Sequence, residues 1–390
     1  MTRIGFAYNQ KPVSNSGPAP VSAADRLGTS HTGIAAGLSA SDDGDAGASD
    51  DEPPSRATAN SPILTASAEA DDEFAEWDSA ETIDAVEHAL SALGTVVRLE
   101  ANPEFPERLR AARPDIVFNI AEGLAGVNRE AHVPAICEYY GIPYSGSDPF
   151  TLSLCLDKAR AKQILAYYDV PTARFAVVDR VSALADAVAA LRYPLFVKPL
   201  HEGSSKGITE RNLCRTPGEL DDQVRFLLDR YVEPVLVEEY LSGDEFTCAV
   251  LGNGVGAQLL PIVAMNFGAL PPGALPIYGF EAKWLWDRPE RPLPIFECPA
   301  QIDEELRRQI ERVSLAAYRA LGCRDWSRLD VRLDGNGVPH VIEVNPLPGI
   351  LPDPSDNSCF PKAARAAGLS YDELIQTCLM LAASRQRVAL

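Results

Sequence analysis

The sequence predicts an α/β (α+β) protein, with an N-terminal parallel α/β domain and further mixed layers behind it. Three observations carry this prediction. Beyond Ser79, apolar strand-like runs alternate with amphipathic helical stretches. Runs such as DIVFNI and PLFVKP are too apolar for sheets with one wet face. The 390 residues, 46% of them hydrophobic, can bury a large core, with room for two or three domains of about 100–200 residues each.

The elements follow in order. Arg3 to Tyr8 reads as a buried strand, within a first segment 1–13. Residues 14–75 form an acidic insertion rich in Ser, Ala, Gly, Pro and Asp, with runs such as SASDDGDAGASDDEPPS. Such a stretch buries too little apolar surface to offset its ordering entropy, so disorder is expected. Residues 1–80 hold four basic and 13 acidic residues, nearly half of the net charge of −20.

An N-terminal α/β domain is expected over 76–150. SAETIDAVEHALSALG has Ser79 as helix cap and Gly94 as stop. VVRLE and DIVFNI read as strands around the helical EFPERLRAAR; NREAHVPAICEYYG is a helix and IPYSGS a short strand and turn. A second unit, 151–250, has a helix at DKARAKQILAYYDV, strands at ARFAVV and PLFVKP, a helix at ELDDQVRFLLDRY, and strands VLVEEYL and EFTCAVLG about Gly243. The third, 251–390, holds a Pro-rich stretch from Pro271 to Pro299 and the long helix DEELRRQIERVSLAAYRALG. The hairpin RLDVRL–DGNG–VPHVIEVN and a last helix, SYDELIQTCLMLAASR, complete it.

Composition excludes several functions. The acidity argues against nucleic acid and anionic membrane as partners, which need a positive footprint. No apolar run is long enough to span a bilayer and no signal-peptide pattern opens the chain, so a cytoplasmic protein is expected. Eight cysteines without a CxxC pair read as buried thiols, and five histidines without HxxxH or HxxH spacing offer no transition-metal site.

Chemistry-bearing residues cluster in a few segments. Alternate side chains of a strand share a face, so Arg328, Asp330 and Arg332 point one way, as do Val341, Glu343 and Asn345. Asp330, Glu343 and Asn345 then offer hard oxygen ligands suited to Mg²⁺. In PLFVKPLHEGSSKG a buried strand delivers Lys198 to a loop of Gly203, Ser204, Ser205 and Gly207, whose amides and hydroxyls suit an anion. A flexible surface turn would read the same way, and GxxxxGK[ST] is absent. GNGVGA has the wrong spacing for a dinucleotide fingerprint and reads as a hairpin turn. Glu238, Glu239 and Glu245 could accept from an adenine amine or ribose hydroxyls, and EAKWLW sets Lys283 beside tryptophans.

Together these segments resemble the D-alanyl-D-alanine ligase family of the ATP-grasp superfamily. The matching stretches are FNIAEG, YYGIPYSGSDPFTLSLCLDKARAK, FVKPLHEGSSKG, LVEEYLSGDEFT, FEAKW, RLDVRLD, EVNPLPG and AARAAGLSYDELI, in order over about 110–385. The resemblance implies a two-part ATP-grasp fold behind the N-terminal domain. It implies ATP and two Mg²⁺, with Mn²⁺ able to stand in, small amino acids as substrates, and a homodimer. Lys158 and Lys198 are implied to hold the α- and β-phosphates, and Gly203, Ser204 and Ser205 to close over them. Glu238 and Glu245 are implied at the adenine and ribose, Lys283 at the transferred phosphate, and Asp330, Glu343 and Asn345 at the metals. Arg328 and the backbone at Gly349 are implied to stabilise the tetrahedral intermediate, and Ser358 to bind the second substrate's carboxylate. The implied chemistry is amide formation between two small amino acids through an acyl phosphate.

The departures lie on the amino-acid side. AYNQKPVS lacks the family's acid after the first strand. Glu122-Gly123 stands where a His-Gly pair is usual, and Trp284 where a tyrosine is usual. A ligase of another acid and amine in secondary metabolism therefore remains open, as does a silent nucleotide-binding protein.

Overall fold

The computed structural model describes residues 1–12, 74, 76–123, 125–279, 281–287 and 293–390. The acidic stretch 14–75, expected to be disordered, lies outside the described residues apart from Phe74.

Strand β1 (Arg3–Tyr8), helix α1 (Ala80–Ser91), β2 (Thr95–Glu100), α2 (Phe105–Ala112) and β3 (Ile116–Asn119) form the first layer pair. The sheet runs β2-β1-β3, all parallel, with Ile4 opposite both Val96 and Ile116. Alternation sends Ile4 and Phe6 into one core with Ile83, Val86 and Leu90, and Ala7 into another with Leu99, Phe105 and Val117. Ser79 caps α1 by accepting from the Thr82 amide. The chain leaves β1 and comes back to the same place: the Lys11 amide donates to the Asp78 carbonyl at 2.8 Å, and the Asp78 amide to Asn9 at 3.0 Å.

Helix α3 (His132–Tyr140) follows, then IPYSGS, which makes only an isolated bridge between Tyr144 and Val117 rather than a strand. Gly146, at φ +84°, turns the chain away and gives its amide to Asp325, so pairing stops there. Next come α4 (Pro149–Leu156), which was missed because PFTLSLCL is too uniformly apolar to show a helical period, and α5 (Lys158–Tyr167). Asp148 and Asp157 cap them.

The second sheet comprises β4 (Phe175–Val178), β5 (Leu195–Pro199), β6 (Leu213–Cys214) and β7 (Val235–Glu239), with α6 (Leu184–Val188) and α7 (Pro217–Tyr231) against it. Its order is β4-β7-β5-β6 and every pairing is antiparallel. The third sheet takes β8 (Glu245–Leu251), β9 (Gln258–Leu259), β10 (Val263–Met265), β11 (Phe296–Glu297), β12 (Trp326–Leu333) and β13 (Pro339–Asn345), again antiparallel, with α8 (Glu304–Ala320) behind it. Parallel pairing is thus confined to the first sheet. VLVEEYL and EFTCAVLG, neighbours in sequence, fall in different sheets, while GNGVGA forms the β8–β9 hairpin turn as read.

The β12–β13 hairpin carries a bulge. Arg328 pairs with Asn345 and Asp330 with Glu343, but Val331 then pairs with Val341. The extra residue, Ile342, reverses the parity. Val341, expected beside Glu343, instead enters the core at 0% exposure. The last helices, α9 (Cys359–Ala366) and α10 (Tyr371–Gln386), return to the first sheet. Trp326 lies between Phe118 and Phe360, at 5.7 and 5.6 Å, and Gln376 donates to the Ala89 carbonyl. All eight cysteines are free thiols, six of them buried. No helix among the described residues is long and apolar enough to cross a membrane.

Candidate active site

A cavity of about 620 Å³ opens between the second and third sheets. It collects Lys158, Lys198, Gly203, Ser204, Ser205, Glu238, Glu245, Lys283, Arg328, Asp330, Glu343, Asn345, Gly349, Ser358 and Glu122 from one end of the chain to the other. Trp284 alone among the expected site residues cannot be placed so, since its side chain lies outside what is described.

The second sheet supplies the cations. β5 carries Lys198 inward, where its Nζ lies 2.8 Å from Glu238 on β7. Lys162, one turn beyond Lys158 on α5, reaches the other Glu238 oxygen at 2.9 Å and also donates to Thr172. Burial would raise the Glu238 carboxyl, but the two lysines outweigh it and hold it at about 2. Glu238 is therefore a clamp between two lysines, which fixes where Lys198 points. Glu245 is engaged as well, at 2.7 Å from Arg332 Nη1, while Nη2 of the same guanidinium donates to both the Tyr240 hydroxyl and the Pro276 carbonyl.

The loop after β5 is strained. Ser204 and Ser205 hold φ of +50° and +63°, a region costly for residues with a Cβ. Ser205 donates to the Tyr278 carbonyl at 3.1 Å, fastening the loop across the cavity. A Cβ on Gly203 would collide with the Glu76 carboxylate, so a larger residue there would push that side chain aside.

The third sheet supplies oxygen ligands and Arg328. Asp330 accepts from Thr247 and from Arg328, each at 3.0 Å. Burial pushes its carboxyl up against the pull of Arg328, and Glu343 adds to the rise. Burial would also raise Glu343, but Lys158, at 3.2 Å, and Lys198 leave it below its ordinary value. Two facing carboxylates with an Asn345 oxygen on the same strand pair make a hard donor set whose paired charge a divalent cation relieves; these residues fit Mg²⁺. Arg328 is half-buried, and its Nε, shielded from solvent, has no hydrogen-bond partner among the described residues. Burial, then the charge of Arg328, lowers Lys283 to about 8. Ser358 is tied to backbone, accepting from Leu351 and donating to Gly349, each at 3.2 Å.

Sequence reasoning missed Lys162, Thr247, Lys206 and the acids Glu76, Asp78 and Glu130. Lys162 was visible as the i+4 neighbour of Lys158 on one helix face. Glu76 was not, because the insertion separates it from β1. It meets Arg129 and Lys206 at 3.3 Å each, and these cations overcome its burial to keep it ionised. Beside it, burial lifts Asp78 and Glu130 each to about 7, and lifts Glu122 well above its ordinary value.

Comparison with known proteins follows the same lines. A family model described as D-ala D-ala ligase C-terminus matches residues 164–380. An uncharacterized protein, y4sG, from Sinorhizobium fredii is 38% identical over 270 residues, covering 69% of this chain and 75% of that protein. A D-alanine–D-alanine ligase from Cupriavidus taiwanensis is 33% identical over 270 residues, 68% and 75% of the two chains. The crystal structure of D-alanine–D-alanine ligase from Bacillus anthracis complexed with ATP superposes with a TM-score of 0.66 at 21% identity, covering 99% of both chains.

Proposed function

The chain belongs to the D-alanine–D-alanine ligase family of ATP-grasp enzymes, which form carbon–nitrogen bonds, and we propose that it joins two small amino acids in the cytoplasm through an acyl phosphate. The observation that carries this reading is the pairing of Asp330 with Glu343 across one hairpin, opposite Lys158 and Lys198 within a single cavity.

A free carboxylate resists attack by an amine because its leaving group would be oxide. Transfer of the γ-phosphoryl group of ATP to a carboxylate oxygen releases ADP and makes a mixed anhydride. The amine of the second substrate then attacks the carbonyl carbon, loses a proton, and expels phosphate. Phosphoryl transfer asks mainly for positioning and charge neutralisation. Lys158 and Lys198 supply both for the nucleotide's tail, with Lys198 aimed by Glu238. Mg²⁺ held by Asp330, Glu343 and Asn345 would supply the remaining neutralisation between phosphates. Arg328, with an Nε still open to accept a partner, stands where charge builds on the carbonyl oxygen, and backbone amides near Gly349 complete that pocket. The Gly203–Ser205 loop, fastened to Tyr278, keeps water from the anhydride. Lys283 faces the transferred phosphate.

The test is phosphate release from ATP and Mg²⁺ with paired amino acids, D-alanine included. Turnover should be lost in Asp330→Ala and in Glu343→Ala with the fold retained by circular dichroism. Undiminished turnover in either variant overturns the assignment of the metal-binding face.

A further inference from the structure

The end of the cavity nearest Glu76 holds more carboxyl groups than a neutral amino acid can pair. Arg129 and Lys206 both turn to Glu76, and Lys206 also meets Glu202 at 3.2 Å. The charge of Lys11 acts on Asp78, and that of Arg328 on Lys283. Glu122 and Glu130 remain: Arg129 acts on both and Lys158 on Glu130, but these cations pair directly with Glu76 and Glu343. Both line the cavity, and neither makes a hydrogen bond or ion pair with any described residue. Glu130 is only 8% exposed. The backbone of Gly123 packs against that of Arg129, which sets Glu122 and Glu130 at adjoining places on the wall, and the charge of Glu130 acts on Glu122.

Without a direct ion pair such carboxyls are held toward the protonated form, and a cation arriving beside them makes the charged form favourable. The α-ammonium of an amino acid neutralises one of the two; the second calls for another cation on the same molecule. We propose that the substrate lodged against Glu122 and Glu130 carries two positive groups, its α-ammonium and a side-chain amine or guanidinium, so that it is a basic amino acid and not alanine. Trp77, held by its indole N–H on the Gly123 carbonyl at 3.2 Å, lines the same end and suits a methylene stem or a cation. The proposal deepens the ligase reading and rests on it for what this cavity binds.

Binding separates the two. Calorimetry with ADP and Mg²⁺ present would compare lysine, ornithine and arginine, in both chiralities, with norleucine and alanine, alongside phosphate release. At least one basic amino acid should bind about tenfold more tightly than norleucine, its uncharged counterpart. Glu130→Gln should erase that preference, with ADP binding as the check that the variant is folded. Glu122→Gln should do the same, which keeps the test open if the first variant does not fold. Norleucine or alanine binding as well as every basic amino acid overturns the proposal, as does a preference that survives both variants. Selective binding with no phosphate release from any pair would sink the ligase reading and leave this one standing. Turnover of alanine in preference to basic amino acids would do the reverse.

Discussion

Glu238→Gln removes the one carboxylate that meets both Lys162 and Lys198, in a place where its side chain is 5–6% exposed. The carboxyl falls from 4.5 to about 2 on folding, and at about 1.4 kcal/mol per unit that depression is worth about 3 kcal/mol. Breaking a buried ion pair by removing one partner costs about 3–5 kcal/mol, in keeping with that figure. The sign follows from the direction: a carboxyl lowered in the folded state stabilises fully above its unfolded value, and the contribution drains away as pH falls from about 4.5 towards 2. Urea unfolding followed by tryptophan fluorescence should therefore separate wild type from Glu238→Gln by about 3 kcal/mol near pH 7, with the gap narrowing below about pH 4.5 and closing only towards about pH 2. The variant should also raise the KM for ATP, since Lys198 loses the group that aims it. A gap below about 1 kcal/mol at neutral pH, or one that stays constant into acid, refutes the clamp.

Two further outcomes follow. Excising 16–71 and bridging the ends with a short Gly-Ser linker should leave phosphate release within about twofold of the full chain, because the backbone bonds of Lys11 and Asp78 already bring both ends together; a dead or insoluble product would show that the excised stretch acts in the site or the fold. Lys283 is charged below about 8 and neutral above it, so kcat/KM should fall as pH climbs through that value, and Lys283→Arg should shift the fall upward; identical alkaline limbs in the two profiles would remove Lys283 from the reaction.

Much of the catalytic face was legible because its residues come from regular elements. Period-two alternation along RLDVRL placed Arg328 and Asp330 on one face, and the short DGNG turn forced Glu343 and Asn345 opposite them. The same rule failed at Val341, since a one-residue bulge leaves no mark in the pattern of apolar and polar residues. Strand direction was also beyond the sequence: VLVEEYL and EFTCAVLG look like the arms of one hairpin, yet their partners are set by long-range packing that places them in separate sheets. The role of Glu238 was hidden for a related reason. An acid on a strand edge reads as solvated or ligand-binding until Lys162 and Lys198, from a helix and a neighbouring strand, are seen to close on it.

The amino-acid end was the least legible, and the cause is a detour in the chain. AYNQKPVS holds no acid, so the first-strand loop seemed to have lost its grip on an ammonium group. The chain in fact comes back beside Asn9 and Lys11 at residue 78, and that return delivers Glu76, Trp77 and Asp78 to the cavity wall. Glu76 then presses on Gly203 and meets Lys206, so the segment closing the insertion touches the loop over the phosphates. One consequence is mechanical: whatever settles against Glu122 and Glu130 bears on Glu76, which reaches the Gly203–Lys206 loop proposed to cover the nucleotide's tail. On the proposed reading, recognition of the amino acid and closure over ATP would be joined through Glu76, and a substrate that left these carboxyls unpaired would be held less firmly when the anhydride forms.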